Sequence, residues 1–372
     1  MDSSVFDEAS STSPAAAPAG VDEAVAAMMR AGRVPGLSLA VIDHERLLYA
    51  GGFGVADLRD RVKATPRTVY LWFSMTKMVT ATAVMGLVEA GRIGLDVPAA
   101  DYVDFLAGPE PGHPTVDQLL THTAGLSNPL PLRWVHAAQD EPPSAEDMLR
   151  SLTRRRRAYR YPAGGTARYS NVGYLALGQI IEAVTGTSME TYVRQAVLEP
   201  VGMAGTGFAY PPGVPAAVGY VRAPRVADPV LRRMLPRGVA GPRTGPFLGL
   251  RPFYVDGPAY GGLVGDVVDA ARFLRMHLAD GQIDGRRVLS ADTTRAMRVV
   301  EHPGKPFHHG IGWSRPGPGA QEWVEHFGAG AGFWNVMRLY PDRDLGIVVM
   351  ANSTTSYDFD PVFSLLARAT WS

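Results

Sequence analysis

Cysteine is absent from this chain of 372 residues, so disulfides, a thiol nucleophile and thiolate metal sites are all excluded. Net charge is absent as well: 36 basic and 36 acidic residues balance, which leaves no electrostatic footprint for a nucleic acid. Long apolar runs are missing, each being cut by Gly, Pro or a charge before it reaches the length of a membrane span. The most informative scarcity is that of lysine. Lys63, Lys77 and Lys305 are the only lysines among the 36 basic residues. Arginine keeps its proton at any pH a protein meets, whereas a desolvated lysine can lose it; a base needs lysine and a surface charge does not.

Lys77 stands in the run Trp72-Phe73-Ser74-Met75-Thr76-Lys77. Residues three apart on a helix share a face, so the Ser74 hydroxyl and the Lys77 amine can meet. Residues 78–87 carry no charge and read as a helix buried on every side. Burial disfavours an ammonium, so a neutral Lys77 could take the proton of Ser74 as the hydroxyl attacks a carbonyl. The same pair also suits a serine N-cap followed by a lysine that snorkels to water.

Two further clusters carry usable chemistry. Tyr169-Ser170-Asn171 lies 95 residues after Ser74 and opens a helical run over 172–184. A tyrosine beside a lysine can shuttle protons, and an asparagine amide can fix the lysine and hold a substrate carbonyl. The plainer alternative is a helix start capped by Ser170 or Asn171. The second cluster, Glu325-His326-Phe327-Gly328-Ala329-Gly330-Ala331-Gly332-Phe333, places five small residues after a strand-like segment, where a ligand can approach the backbone. It equally suits a glycine-rich hairpin turn with His326 as a satisfied histidine.

In this order and spacing the three segments resemble the serine β-lactamase and penicillin-binding-protein superfamily, with its Ser-x-x-Lys element and later partners. The chain is most similar there to class C β-lactamases and family VIII carboxylesterases. Leu119-Leu120-Thr121-His122-Thr123-Ala124-Gly125-Leu126, Gly261-Gly262-Leu263 and Gly310-Ile311-Gly312-Trp313 extend the resemblance over about residues 22 to 368. It implies Ser74, Lys77 and Tyr169 as catalytic residues and no cofactor or metal. It also implies Asn171, His326 and Gly328 around the substrate, and an oxyanion hole from the backbone N–H groups of Ser74 and Ala329. Asn171 is expected to orient Lys77 and the acyl carbonyl, with His326 on the leaving-group side.

Two departures shape the expected activity. No Glu-x-x-Leu-Asn sequence lies between Ser74 and His326, so deacylation rests on Lys77 and Tyr169. Where β-lactamases carry Lys-Thr-Gly, this chain has His326-Phe327-Gly328, an imidazole and a phenyl for a fixed cation and a hydroxyl. The expectation is an esterase on neutral small or medium acyl esters. The alternatives are an acyltransferase of secondary metabolism, then a β-lactamase or D-amino-acid amidase or peptidase, and last a non-catalytic binding module.

The expected fold is of the α+β type: an antiparallel sheet built from both chain ends and flanked by helices, plus a mainly helical domain, with the site in the cleft between them. Strands are expected at 37–42, 47–50, 323–327, 333–340 and 345–351. Helices are expected at 116–121, 144–152, 169–184, 188–198 and 360–369. Domain limits follow as 21–80 with 255–372 for the sheet domain and 81–254 for the helical one. The Pro- and Gly-rich stretch 210–251 reads as irregular loops bordering the cleft. Residues 1–20, rich in Ser, Ala, Pro and acids without a basic start or apolar core, read as an unstructured lead and not as a secretory signal. A cytoplasmic protein with a small-molecule partner and no membrane or nucleic-acid partner is expected. The run Arg154-Arg155-Arg156-Arg157 reads as a solvated helix end or loop, or a patch for an acidic partner.

Overall fold

A computed structural model describes residues 9–11, 17–107, 113–128, 134–154, 158–317 and 322–371. Among these residues, nine strands form one antiparallel sheet. In spatial order they are Ala9–Ser11, Leu47–Asp57, Gly36–Ile42, Leu345–Ala351, Phe333–Tyr340, Val324–Gly330, Ser314–Pro316 and Phe307–His309, with Val62–Lys63 also paired to Leu47–Asp57. The two chain ends meet at its centre, where Leu37 faces Ala351 and Ile42 faces Gly346. Asn352 fastens this junction: its Oδ1 accepts from the Gly36 amide at 2.8 Å and its Nδ2 donates to the Val55 carbonyl at 3.0 Å.

Both faces of the sheet are covered, which is why its central strands read as unbroken apolar runs. Leu37, Leu39, Val41, Ile347 and Val349 pack outward against the helices Val21–Gly32 and Asp360–Arg368. Ala40, Ile42, Val348 and Met350 point the other way, toward the helix Val267–Leu278 and the larger core that holds the helix Thr76–Glu89. Each large aliphatic side chain so buried contributes about 1.5–3 kcal/mol. The sheet is therefore a rigid floor against which the site is built.

Helices fill the middle of the chain. Thr115 caps Val116–Leu120 in a reciprocal capping box with Gln118, Ser144 caps Ala145–Thr153, and Ser170 caps Asn171–Thr185. A hydroxyl at each N-cap satisfies an amide that the first turn leaves free. The expected helix 188–198 is α-helical only over Met189–Val193 and continues as a π-helical turn, Arg194–Leu198. Among the described residues no helix is long and apolar enough to cross a membrane.

Three expectations differ from the fold. Residues 9–11 of the supposed unstructured lead pair with Gly51, Gly52 and Phe53, because backbone pairing to a sheet edge needs no apolar side chains. Residues 1–8 and 12–16 lie outside the described residues. The stretch 210–251 is not irregular throughout. It holds a three-stranded antiparallel sheet, with Phe247–Leu250 between Tyr220–Arg222 and Ala240–Thr244, and the helix Asp228–Met234. Pro229 supplies a pre-set φ at the helix start, and Gly245 at φ 56° closes the hairpin between Ala240–Thr244 and Phe247–Leu250. Finally, Val324–Gly330 runs straight through the glycines to a turn at Ala331-Gly332, so the small residues belong to a strand. Of the arginine run, Arg154 ends the helix Ala145–Thr153, and 155–157 lie outside the described residues.

Candidate active site

Ser74, the expected nucleophile, lies in a single 3-10 turn, Phe73–Met75, leading into Thr76–Glu89. Phe73 sits at φ 48°, a conformation that a bulky residue adopts only under constraint. The constraint is visible on every side. Its ring packs against Phe253 at 6.3 Å and Phe333 at 6.2 Å, and a Cβ on Gly330 would come within 2.1 Å of it. A Cβ on Gly328 would lie 2.0 Å from the Trp72 carbonyl. These two glycines thus admit the turn itself, beyond any approach by a ligand. Gly312, at φ 78°, does the same for the helix Thr76–Glu89, where a Cβ would meet Ala81 at 3.0 Å.

Lys77 is completely buried, as a helix apolar all round requires. Its Nζ lies 3.1 Å from Ser74 Oγ and 2.9 Å from the Tyr260 carbonyl. The rings of Tyr169, Tyr174 and Tyr260 surround it at 4.9, 5.5 and 5.2 Å. Burial holds the amine well below the usual lysine range, which favours its neutral form. A neutral amine that donates to the Tyr260 carbonyl keeps a lone pair for the Ser74 proton.

Tyr169 precedes the helix that Ser170 caps, and it hydrogen-bonds to Ser74. Burial raises its phenol, only partly opposed by that bond, so it is a neutral donor and not a phenolate base. Its ring lies 4.6 Å from His122, 6.1 Å from His309 and 6.2 Å from His326. Asn171 is buried close by, and its Oδ1 has no partner. The second acceptor for Lys77 is thus the Tyr260 carbonyl, whereas the sequence suggested Asn171.

His326 points into this cluster with 5% exposure, and its Nδ1 lies 2.8 Å from the Phe327 carbonyl. A carbonyl only accepts, so Nδ1 carries the proton and Nε2 faces the site as an acceptor. Burial, then the neighbouring Lys77, push its pKa down to about 3. His309 is lowered to about 4, again by burial first. Neither imidazole therefore carries a positive charge near neutral pH. Phe327 differs from the expectation: strand alternation turns its ring to the opposite face of the sheet, against Phe307, Phe359 and Trp334. It removes a hydroxyl without placing a phenyl in the pocket.

Ser74 opens into a cavity of about 110 Å³, whose walls include Trp134, Val135, Asn171, Val255, Tyr260 and Ala329. Ser74 and Ala329, from which the two oxyanion donors are expected, thus border one space. A larger cavity of about 590 Å³ lies behind the pair Val135–Ala137 and Phe253–Val255, where His136 Nδ1 meets Asp256 Oδ1 at 2.7 Å, and Ser74 is not on its wall. The sequence gave no signal for Trp134 or Val255. Tyr260 and His309 each stand immediately before a quoted glycine motif, which is the signal that could have found them. His122, inside another motif, stacks on Tyr169 and accepts the Ser170 amide at 3.2 Å.

The family model described as Beta-lactamase matches residues 21–368. The unguisins hydrolase ungD of Aspergillus violaceofuscus is 25% identical over 361 residues, covering 88% of this chain and only 60% of that protein. Penicillin-binding protein 4 of Amycolatopsis lactamdurans is 28% identical over 350 residues, covering 88% of this chain and 83% of that one. The crystal structure of SurE with D-Leu superposes with a TM-score of 0.69 at 30% identity, covering 94% of this chain and 74% of that chain. The order of the motifs, the Ser74–Lys77–Tyr169 geometry and a match over nearly the whole chain agree, and the protein belongs to the beta-lactamase family.

Proposed function

We propose that the protein is a serine esterase that forms an acyl-enzyme on Ser74 from neutral small or medium acyl esters. One observation carries the reading: a fully buried Lys77 is hydrogen-bonded to Ser74 at the head of a cavity whose described walls carry no charged side chain. Lys77 takes the Ser74 proton as Oγ attacks the ester carbonyl, and the N–H groups of Ser74 and Ala329 receive the oxyanion. Tyr169, a neutral phenol bonded to Ser74, passes a proton to the departing alkoxide and is recharged from Lys77. In deacylation the same pair draws a proton from water and returns it to Ser74 Oγ. The hydrolase name of the fungal relative supports water as the final acceptor. His326 stands where the β-lactamase pattern has a lysine, and burial keeps it uncharged near neutral pH, which favours neutral esters over β-lactams.

The test is a fluorophosphonate probe and p-nitrophenyl butyrate, followed by intact-mass measurement. The probe should add once, at Ser74, and the ester should give an acyl adduct of butyryl mass that water removes. Adding competing alcohols and amines measures any transfer to another acceptor. Labelling that persists in Ser74→Ala would sink the assignment.

A further inference from the structure

The cavity at Ser74 is small. A water-sized group occupies about 30 Å³, so 110 Å³ holds roughly four such groups. A butyryl chain fills it. Beyond Leu235, Ala329, Gly330 and Ala331, which border both spaces, lies a second groove of about 400 Å³. Its remaining walls are Val221, Leu231, Met234, Trp334 and Thr354. Thr354 is the one hydroxyl there and it is already used: it accepts the Gly332 amide at 2.6 Å and donates to the Tyr220 carbonyl at 3.2 Å. The described walls thus suit an apolar chain, the buried Trp334 Nε1 being their one polar side-chain atom without a hydrogen-bond partner.

Direction comes from the proton donor. Tyr169 must sit beside the leaving oxygen, and it lies among His122, His309 and His326. The groove departs from Ser74 along Ala329-Gly330-Ala331, and none of those three histidines nor Tyr169 is in its walls. The acyl part of a substrate, not its alcohol, is therefore led into it. The outer wall is the helix Asp228–Met234, pinned by Arg243 to Asp228 and by the Arg232 donation to the Gly241 carbonyl at 2.9 Å. Met234, 41% exposed, stands at the open rim.

We propose that this groove is an acyl-chain subsite and that the enzyme prefers unbranched medium chains of roughly eight to ten carbons, the room left by about a dozen water-sized groups in an open channel. The proposal rests on the esterase reading. Each fully buried methylene is worth roughly fourfold in binding, and about half of that in a groove open to solvent. From the butyryl to the octanoyl p-nitrophenyl ester, kcat/KM should therefore rise at least about tenfold.

Two variants fill the groove: Leu231→Trp at its wall and Met234→Trp at its exposed rim, where misfolding is not an issue. In both, the octanoyl-to-butyryl ratio should fall toward one. A separate readout uses alkyl fluorophosphonates with two- and eight-carbon chains, whose labelling of Ser74 needs no turnover. Faster labelling by the long chain, lost in the tryptophan variants, upholds the groove even if no ester is hydrolysed. Equal rates, or a preference that survives both variants, overturn it even if esters are hydrolysed well.

Discussion

Replacing Lys77 by methionine removes the proposed base while keeping a side chain of similar length in a site that has no exposure to solvent. General-base catalysis is worth about 10²–10⁴-fold, so kcat/KM for p-nitrophenyl butyrate should fall within that range. Stability should change far less. The Tyr260 carbonyl loses its 2.9 Å partner, at about 1–3 kcal/mol for an unsatisfied buried acceptor, while the variant escapes the penalty of burying an amine. Lys77→Arg gives the contrast: its cation cannot be shed, no carboxylate is hydrogen-bonded to Lys77 among the described residues, and several kcal/mol should be lost along with turnover of at least about 10²-fold. The pH dependence fixes the sign. In the wild type burial depresses the folded amine below the unfolded one, which is protonated below about 10.4, so between the two values unfolding takes up a proton. Stability should then climb by about 1.4 kcal/mol per pH unit between the depressed folded value and about 10.4, and Lys77→Met should lose that slope. Activity in the wild type should drop as pH falls through the folded value, where the amine gains its proton. Burst kinetics, thermal melts and a pH series measure all three. A methionine variant that turns over within tenfold of wild type would show Lys77 to be packing alone.

Tyr169→Phe should slow deacylation at least as much as acylation, because no class A glutamate is present, and intact-mass spectra should show the acyl-enzyme accumulating; unchanged steady-state kinetics would refute this. His326→Gln should leave the acid limb of the pH–rate profile in place, since a histidine held at about 3 does not titrate near neutrality, and a limb that moves would contradict the burial argument. Penicillins and cephalosporins should be hydrolysed about five- to 150-fold less efficiently than p-nitrophenyl butyrate, from about 1–3 kcal/mol for an under-satisfied carboxylate. A β-lactam with an equal or higher kcat/KM would overturn the ester preference.

The sequence by itself determined what depends on near neighbours and on period. Ser74 and Lys77 meet because three residues make most of a helical turn, and the uncharged run after them could only be a buried helix. The alternation and apolar runs of the terminal segments set the central strands, and hydroxyls at Thr115, Ser144 and Ser170 set helix starts. What the tertiary structure alone decided is separated in sequence and has no local signature. The acceptor that holds Lys77 is a backbone carbonyl 183 residues away, which side-chain identity cannot reveal. Phe327 turns from the pocket because register in a strand assigns faces by single residues, and extending the strand through Gly330 is what set that register. Gly328 and Gly330 are small because the distant turn at Trp72-Phe73 packs against them, with Phe73 held at positive φ. The helix Asp228–Met234 reaches the groove only through folding of a Pro- and Gly-rich stretch whose composition reads as loop. The contact between Ser74 and Lys77 was thus legible in local spacing, while the shape of the cavities around it came from contacts between distant segments, whose partners are chosen by packing and not by sequence proximity.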